Sequence, residues 1–239
     1  GKISAIVART RGDSHKLIEE MMLLANTCAA EFSLKHELPV LYRNHDTPEA
    51  EKAARVSDFV KHFGLSFPEE NPTQADYQRI IEATRERPDA ISIHSVLLRS
   101  MQQANYAPTN IGHFGLAYEE YSHFTSPIRR YPDLMLHRAI KAKVTGKKAP
   151  LPDWSLEDAG EQTSMTERRA DEASRFVEQW LKAHYMKDHI GEAFDAVVTT
   201  VTNFGLFVTL TDLFIDGLIH ISHLGEDYFV YDDKAQQLF

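Results

Sequence analysis

HFTSPIRRYPDLMLHRAIKAKVTG, residues 123–146, decides how this chain is read. Its second half predicts a helix from Pro132 to Thr145. Pro132 stands at a first-turn position with Asp133 beside it, and Gly146 ends the pattern. Met135, Leu136, Ala139, Ile140 and Val144 give the helix one apolar face. Ser126-Pro127 predicts a short turn or helix ahead of it. Between the two stand Arg129 and Arg130, at a helix N-terminus that already carries about half a positive charge. Two further positive charges repel each other and the dipole unless an anion fills the gap. The stretch therefore predicts an anion site.

The distribution of charge agrees. The 239-residue chain carries a net charge of −9, which alone argues against nucleic acid as a partner. From His123 to Pro150, however, seven Lys or Arg face one acid, Asp133. A basic site within an acidic protein focuses its field on one anion rather than making a sticky surface. For Lys141, Lys143, Lys147 and Lys148 the simplest role is to solvate the last helical turn and its exit loop, since cations favour a helix C-terminus. That role does not cover Arg129 and Arg130.

Composition bounds the rest. With 43% hydrophobic and 26% charged residues the chain can bury a core. A single cysteine, Cys28, leaves no disulfide framework and fits a reducing, cytoplasmic setting. No apolar run reaches the roughly 18 residues of a membrane span, so no membrane partner is expected. GKISAIVAR begins at once as a strand, from Lys2 to Arg9, with Gly1 in place of Met; the chain reads as starting inside a larger protein.

Asp13 or Ser14 predicts the cap of a helix running to about Leu34. Leu17, Ile18, Met21, Met22, Leu24, Ala25, Cys28, Ala29 and Phe32 cover so wide an arc that the helix is expected to be mostly buried. Glu19 and Asn26, seven apart, share one face. A carboxylate there faces either a polar channel or an arginine partner. Helices are also expected over 48–63, 73–86 and 90–106, as scaffold. A long helix is expected from Ser155 to about Lys187, packed by Phe176, Val177, Trp180, Leu181 and Tyr185. At Ile190 the texture changes to β-branched and aromatic residues, with strands expected near 193–202, 205–210 and 217–221. The fold class is thus α+β: a mainly helical domain over 1–189 and the beginning of a β-barrel over 190–239, stopping too soon to close.

Several chemistries are absent from the sequence. There is no phosphate-binding G-x-x-x-x-G-K loop, no G-x-S-x-G elbow and no tight aspartate cluster for two metal ions. His220 and His223 are the tightest histidine pair, without cysteine or acidic companions at ligand spacing, so no metal site is assigned.

Three long blocks carry a family resemblance. HFGLAYEEYSHFTSPIRRYPDLMLHRAIKA (113–142), HKLIEEMMLLANTCAA (15–30) and ERRADEASRFVEQWL (167–181) resemble blocks of the catalytic domain of the ribonuclease II (RNB) family of exoribonucleases. FGLFVTLTDLFIDGLIHISHL (204–224) resembles an S1-type RNA-binding barrel, an OB-fold variant. The resemblance implies processive hydrolysis of RNA from its 3′ end, releasing nucleoside 5′-monophosphates. It implies that Arg129 is the catalytic arginine, gripping the scissile phosphate with a planar fork. Arg130 is then a neighbouring backbone contact or a structural ion pair. Ser126 joins the RNA-binding set. Glu19 matches the acid that contacts the nucleotide near the active site, where it can accept from a ribose 2′-OH, which favours the channel. Asn26 matches by motif. Phe204, Phe207 and His220 match the base-stacking platform of such barrels, one Phe being the alternative core filler. From Ile190 onward eight acids face one base, Lys234, so this platform is expected to bind by stacking more than by charge. Mg²⁺ is the implied cofactor, with its aspartate ligands upstream of Gly1. RNA with a single-stranded 3′ end is the implied partner, and the upstream part, as a separate chain, is a second. A non-catalytic RNA-binding fragment is the alternative reading.

Overall fold

The computed structural model describes residues 3, 5–7, 10–148, 154–225, 229–232 and 237–238. Of the segment expected as the first strand, residues 3 and 5–7 carry no regular structure, and the rest of 2–9 lies outside the described residues. Two compact units emerge. One holds Thr10–Asp46 and Gln102–Phe176; the other holds Thr47–Met101 and residues from Val177 onward. The division expected near residue 190 marks a change of secondary structure, whereas these units follow proximity in space.

The first unit is built on α1 (Asp13–Lys35), β1 (Tyr42–Asn44), β2 (Asn105–Ala107), α5 (Tyr131–Val144) and the first part of α6 (Leu156–Met186). Small side chains set its packing. Ala29 and Ala30 of α1 meet Leu136 and Ala139 of α5, with Val40 and Tyr42 closing the cluster. Leu41, Tyr106, Met135 and Ala159 form a second cluster joining β1, β2, α5 and α6. β1 and β2 are antiparallel, with Arg43 opposite Tyr106. α6 lies so close to β2 that a Cβ on Gly160 would sit 2.6 Å from the Tyr106 carbonyl oxygen. One turn on, Ser164 Oγ accepts the Tyr106 N–H at 2.9 Å.

Two packing expectations are corrected here. α1 is not mostly buried: Leu17, Ile18, Met21 and Leu24 are each more than half exposed, and only Asn26, Ala29, Ala30 and Ser33 are buried. The buried cluster around α1 engages its C-terminal half alone, from Ala29 onward. Likewise Phe176, Val177 and Trp180 of α6 are largely exposed, because that helix buries only Ala159, Gly160 and Ser164 near its start.

The second unit contains α2 (Ala50–Lys61), α3 (Gln74–Thr84) and α4 (Ala90–Ser100). Val56, Val60, Ile80, Ile93 and Leu97 are buried there. Thr73 caps α3 reciprocally with Asp76, and Gly64 takes the left-handed conformation after α2 (φ +73°). α4 stops six residues short of the expected end because Met101 turns extended and Asn105–Ala107 leaves to form β2. The β-rich segment gives an antiparallel sheet β3 (Ala196–Thr202), β4 (Gly205–Leu210), β5 (Asp216–His220), in that spatial order. A separate short pair, β6 (Tyr231–Asp232) and β7 (Gln237–Leu238), follows. At the β3–β4 turn Gly205 has φ +154°, and a Cβ there would sit 2.3 Å from the Ile219 carbonyl oxygen. Only glycine fits such an approach. No helix among the described residues is long and apolar enough to cross a membrane.

Candidate functional site

The Ser126–Arg130 turn is tied down by two groups. The Ser126 carbonyl accepts the N–H groups of both Arg129 (3.2 Å) and Arg130 (3.0 Å). The carboxylate of Asp133, in the first turn of α5, accepts the Ser126 N–H at 2.8 Å and an Arg130 Nη2 hydrogen at 2.7 Å on the same oxygen. Asp133 is fully buried and the Arg130 side chain only 16% exposed. Arg130 Nε and the second Asp133 oxygen are buried without a partner. The two arginines thus part company. Arg130 is neutralised by a buried acid, the ion-pair alternative left open by the sequence. Arg129 is exposed, and its side chain forms no ion pair among the described residues. Its neighbour Ile128 is 98% exposed.

A cleft of about 410 Å³ opens beside the pair, lined by Arg129, Arg130, Tyr131, Thr166, Glu167 and Asp171 among others. Behind it runs a polar network that sequence reasoning missed. Arg43 donates to Glu167 at 2.6 Å and lies over the Tyr106 ring, 4.6 Å from its centre. The Tyr106 hydroxyl meets His123 Nδ1 at 2.8 Å. Glu167 opens one of the three family-like blocks, but its partners Arg43 and Tyr106 sit on three-residue strands too short to show a period.

Burial, reinforced by the nearby charges of Arg130 and Arg43, pushes His123 down to about 3. Burial, with His45 and Arg43 beside it, pushes His113 down to about 4. Both rings are neutral at pH 7. Their folded pKa values lie below the unfolded value of about 6.5, so below that pH the unfolded chain binds more protons than the folded one. The stability they contribute is fully present above pH 6.5. It is lost as pH falls toward 4 for His113 and 3 for His123, at up to about 1.4 kcal/mol per pH unit for each. The urea midpoint is therefore expected to be level between pH 7 and 8 and to fall steadily from pH 6.5 to 5. A level midpoint through that acid range excludes the neutral-histidine account.

Asn26 is fully buried on α1. Its amide donates to the Tyr121 hydroxyl at 3.0 Å and its oxygen accepts the Phe124 N–H at 2.9 Å. In this conformation the side chain has no exposed surface and its amide is engaged within the chain. It holds the segment that leads into the arginine turn. Glu19 lies on the exposed half of α1, 44% exposed and paired with Arg11. A surface pair of this kind contributes about 0–1 kcal/mol, so little in the fold ties Glu19 down.

In the β-sheet, register places Gly205 opposite His220 and Phe207 opposite Leu218. Phe207, Leu218 and His220 therefore share one face. Phe204 meets Phe207 edge-on, with ring centres 6.0 Å apart. Both phenylalanines are at least a third exposed, so neither is core filler.

Comparison with known proteins fits this division of features. Residues 1–146 match the RNB domain family and residues 187–237 match the S1 RNA binding domain. Ribonuclease R of Escherichia coli is 48% identical over 249 residues, which cover 99% of this chain and 31% of that protein. The chain thus spans about a third of the length of that relative. Among solved structures, Mycoplasma genitalium RNase R in complex with ribose-methylated single-stranded RNA aligns with a TM-score of 0.85 at 24% identity, over 96% of this chain and 37% of that one. Yeast Ssd1, a pseudonuclease, aligns with a TM-score of 0.77 at 22% identity, over 96% of this chain and 29% of that one. The RNB family implies a divalent metal. Among the described residues no three His, Cys, Asp or Glu side chains gather so as to hold one, so the residues present do not fit a resident ion. The arginine turn and its buried supports lie inside the RNB match, and the aromatic face lies inside the S1 match; the chain belongs to the RNB domain family.

Proposed function

We propose that this chain supplies the phosphate-gripping arginine and the RNA path of a processive 3′-to-5′ hydrolytic exoribonuclease that releases nucleoside 5′-monophosphates. The observation that carries the reading is the asymmetry of the two arginines. Asp133 neutralises Arg130 and fixes the turn, which leaves Arg129 exposed and uncompensated beside a cleft. A preorganised guanidinium of this kind suits a phosphate whose charge grows in the transition state. Arg130 and Ser126 serve it as positioning residues through Asp133. Glu19 accepts from a ribose 2′-OH. Phe204, Phe207 and His220 stack bases, which requires little positive charge. The substrate is RNA with a single-stranded 3′ end, the setting is the cytoplasm and the metal is Mg²⁺. The aspartates that would hold it are assigned to a part of the protein outside this sequence. Yeast Ssd1, described as a pseudonuclease, keeps a second reading in view, a non-catalytic RNA-binding role for the same surface.

The test uses the 239-residue chain, free of contaminating nuclease, with 5′-labelled single-stranded RNA and Mg²⁺. The chain is expected to bind the RNA and leave it at full length. Failure to bind overturns the RNA reading. Release of single nucleotides overturns the assignment of the metal ligands to another part of the protein.

A further inference from the structure

The lysines that follow the arginine turn have no role in the site described above. On α5 and its exit, Arg138, Lys141, Lys143, Lys147 and Lys148 are all exposed. None forms an ion pair among the described residues, and no Asp or Glu occurs between Leu134 and Lys148. Among exposed cations elsewhere, Lys35, Arg85, Arg169, Arg175 and Lys187 form no ion pair among the described residues, but each has an Asp or Glu within three residues. Lys16, Lys52, Arg55, Lys61 and Arg79 each pair with an acid three or four residues away. The helix dipole accounts for Lys141 and Lys143, which stand in the last turn of α5. It does not account for Arg138, a turn earlier, or for Lys147 and Lys148, which lie beyond the left-handed stop at Gly146 (φ +66°). Arg138, Lys147 and Lys148 stay uncompensated beside Lys141 and Lys143, so five cations crowd the C-terminal end of α5 and its exit; in a chain of net charge −9 this basic ridge repels itself unless a polyanion covers it.

We propose that this ridge is a second RNA-binding surface, a sequence-independent track for the backbone phosphates of the same single strand whose scissile phosphate meets Arg129. This rests on the RNA reading above. α5 has 14 residues and rises about 21 Å, so its two ends are separated by roughly six stacked nucleotides. A strand of about a dozen nucleotides reaches from the arginine turn to the ridge. The ridge contributes counterion release and no base selectivity, since lysines and an arginine on a convex helix end offer charge without a shaped pocket.

The test measures binding of a 12-nucleotide RNA to the full chain across a range of salt concentrations. Two variants of equal charge change are compared with the parent. One replaces Arg138, Lys141, Lys143, Lys147 and Lys148 with Ser; the other replaces Lys16, Lys52, Arg55, Lys61 and Arg79 with Ser. Circular dichroism confirms that both fold. The ridge variant is expected to flatten the plot of log affinity against log salt by roughly 2–3, since each single-strand phosphate that a cation neutralises adds about 0.7 to the slope. The control variant is expected to keep the parental slope. A parental slope in the ridge variant, or an equal flattening in both variants, overturns the proposal while leaving the RNA reading intact. A parent chain that binds no RNA overturns both.

Discussion

Asp133→Ala is expected to destabilise the chain by about 3–5 kcal/mol, the cost of removing one partner from a buried ion pair. The carboxylate is fully buried and one of its oxygens serves both the Ser126 N–H and Arg130 Nη2. Its loss leaves a guanidinium that is 16% exposed with no counter-charge, and a turn N–H with no acceptor. For a chain of this size each kcal/mol moves the melting temperature by about 2–4 °C, so a fall of roughly 6–20 °C is expected. Asp133→Asn keeps an oxygen for Ser126 and removes the charge, and should fall between Ala and the parent. The decisive comparison is the double variant Arg130→Met with Asp133→Leu. Removing both charges relieves the uncompensated guanidinium, so the double variant should melt above Asp133→Ala. Thermal melts of all four proteins check this order. If the double variant melts lowest, the pair is not the source of the instability.

The anion site is legible in the sequence because its signal is local. Pro132, Asp133 and Gly146 bracket α5 within one residue of its observed ends, and two arginines at a helix start raise an electrostatic problem that needs no tertiary knowledge. The strands of the β-rich segment are equally legible from their β-branched runs. What escapes depends on partners distant in sequence. Nothing in the pattern of α1 tells that its buried contacts begin only at Asn26, so an apolar arc that reads as buried stands exposed at Leu17, Ile18, Met21 and Leu24. Asn26 carries no mark that Tyr121 and Phe124, nearly a hundred residues on, consume both ends of its amide. β1 and β2, three residues each, hold Arg43 and Tyr106 of the network with Glu167 and offer too few positions to show alternation. Asp133 reads as a helix-start residue, which it is; that the same carboxylate discharges Arg130 follows only from the turn's geometry.

Arg129→Lys is expected to lower turnover by about 10²- to 10³-fold in a longer protein that carries this sequence together with its metal-binding part, with a much smaller change in RNA affinity. The substitution keeps the positive charge and removes a planar fork able to meet two phosphate oxygens at once. Ground-state attraction to a phosphate depends mainly on charge, so binding survives. Stabilisation of charge that grows on the phosphate oxygens depends on aligned donors, so the rate does not. The fold supplies a clean control. The Arg129 side chain forms no ion pair among the described residues and stands exposed, whereas Asp133 and Arg130 hold the turn without it. Arg129→Lys and Arg129→Ala should therefore both melt within about 1 °C of the parent, as surface substitutions away from buried networks do. The measurement pairs single-turnover digestion of 5′-labelled RNA with direct binding to the same RNA under conditions that prevent cleavage. Arg129→Ala should lose both rate and affinity, and Arg129→Lys should recover the affinity alone. If Arg129→Lys instead loses affinity by that factor while the single-turnover rate of bound RNA is untouched, the residue binds the ground state and the transition state equally. Arg129 would then be an RNA-binding residue, and the acceleration would have to come from groups outside this sequence.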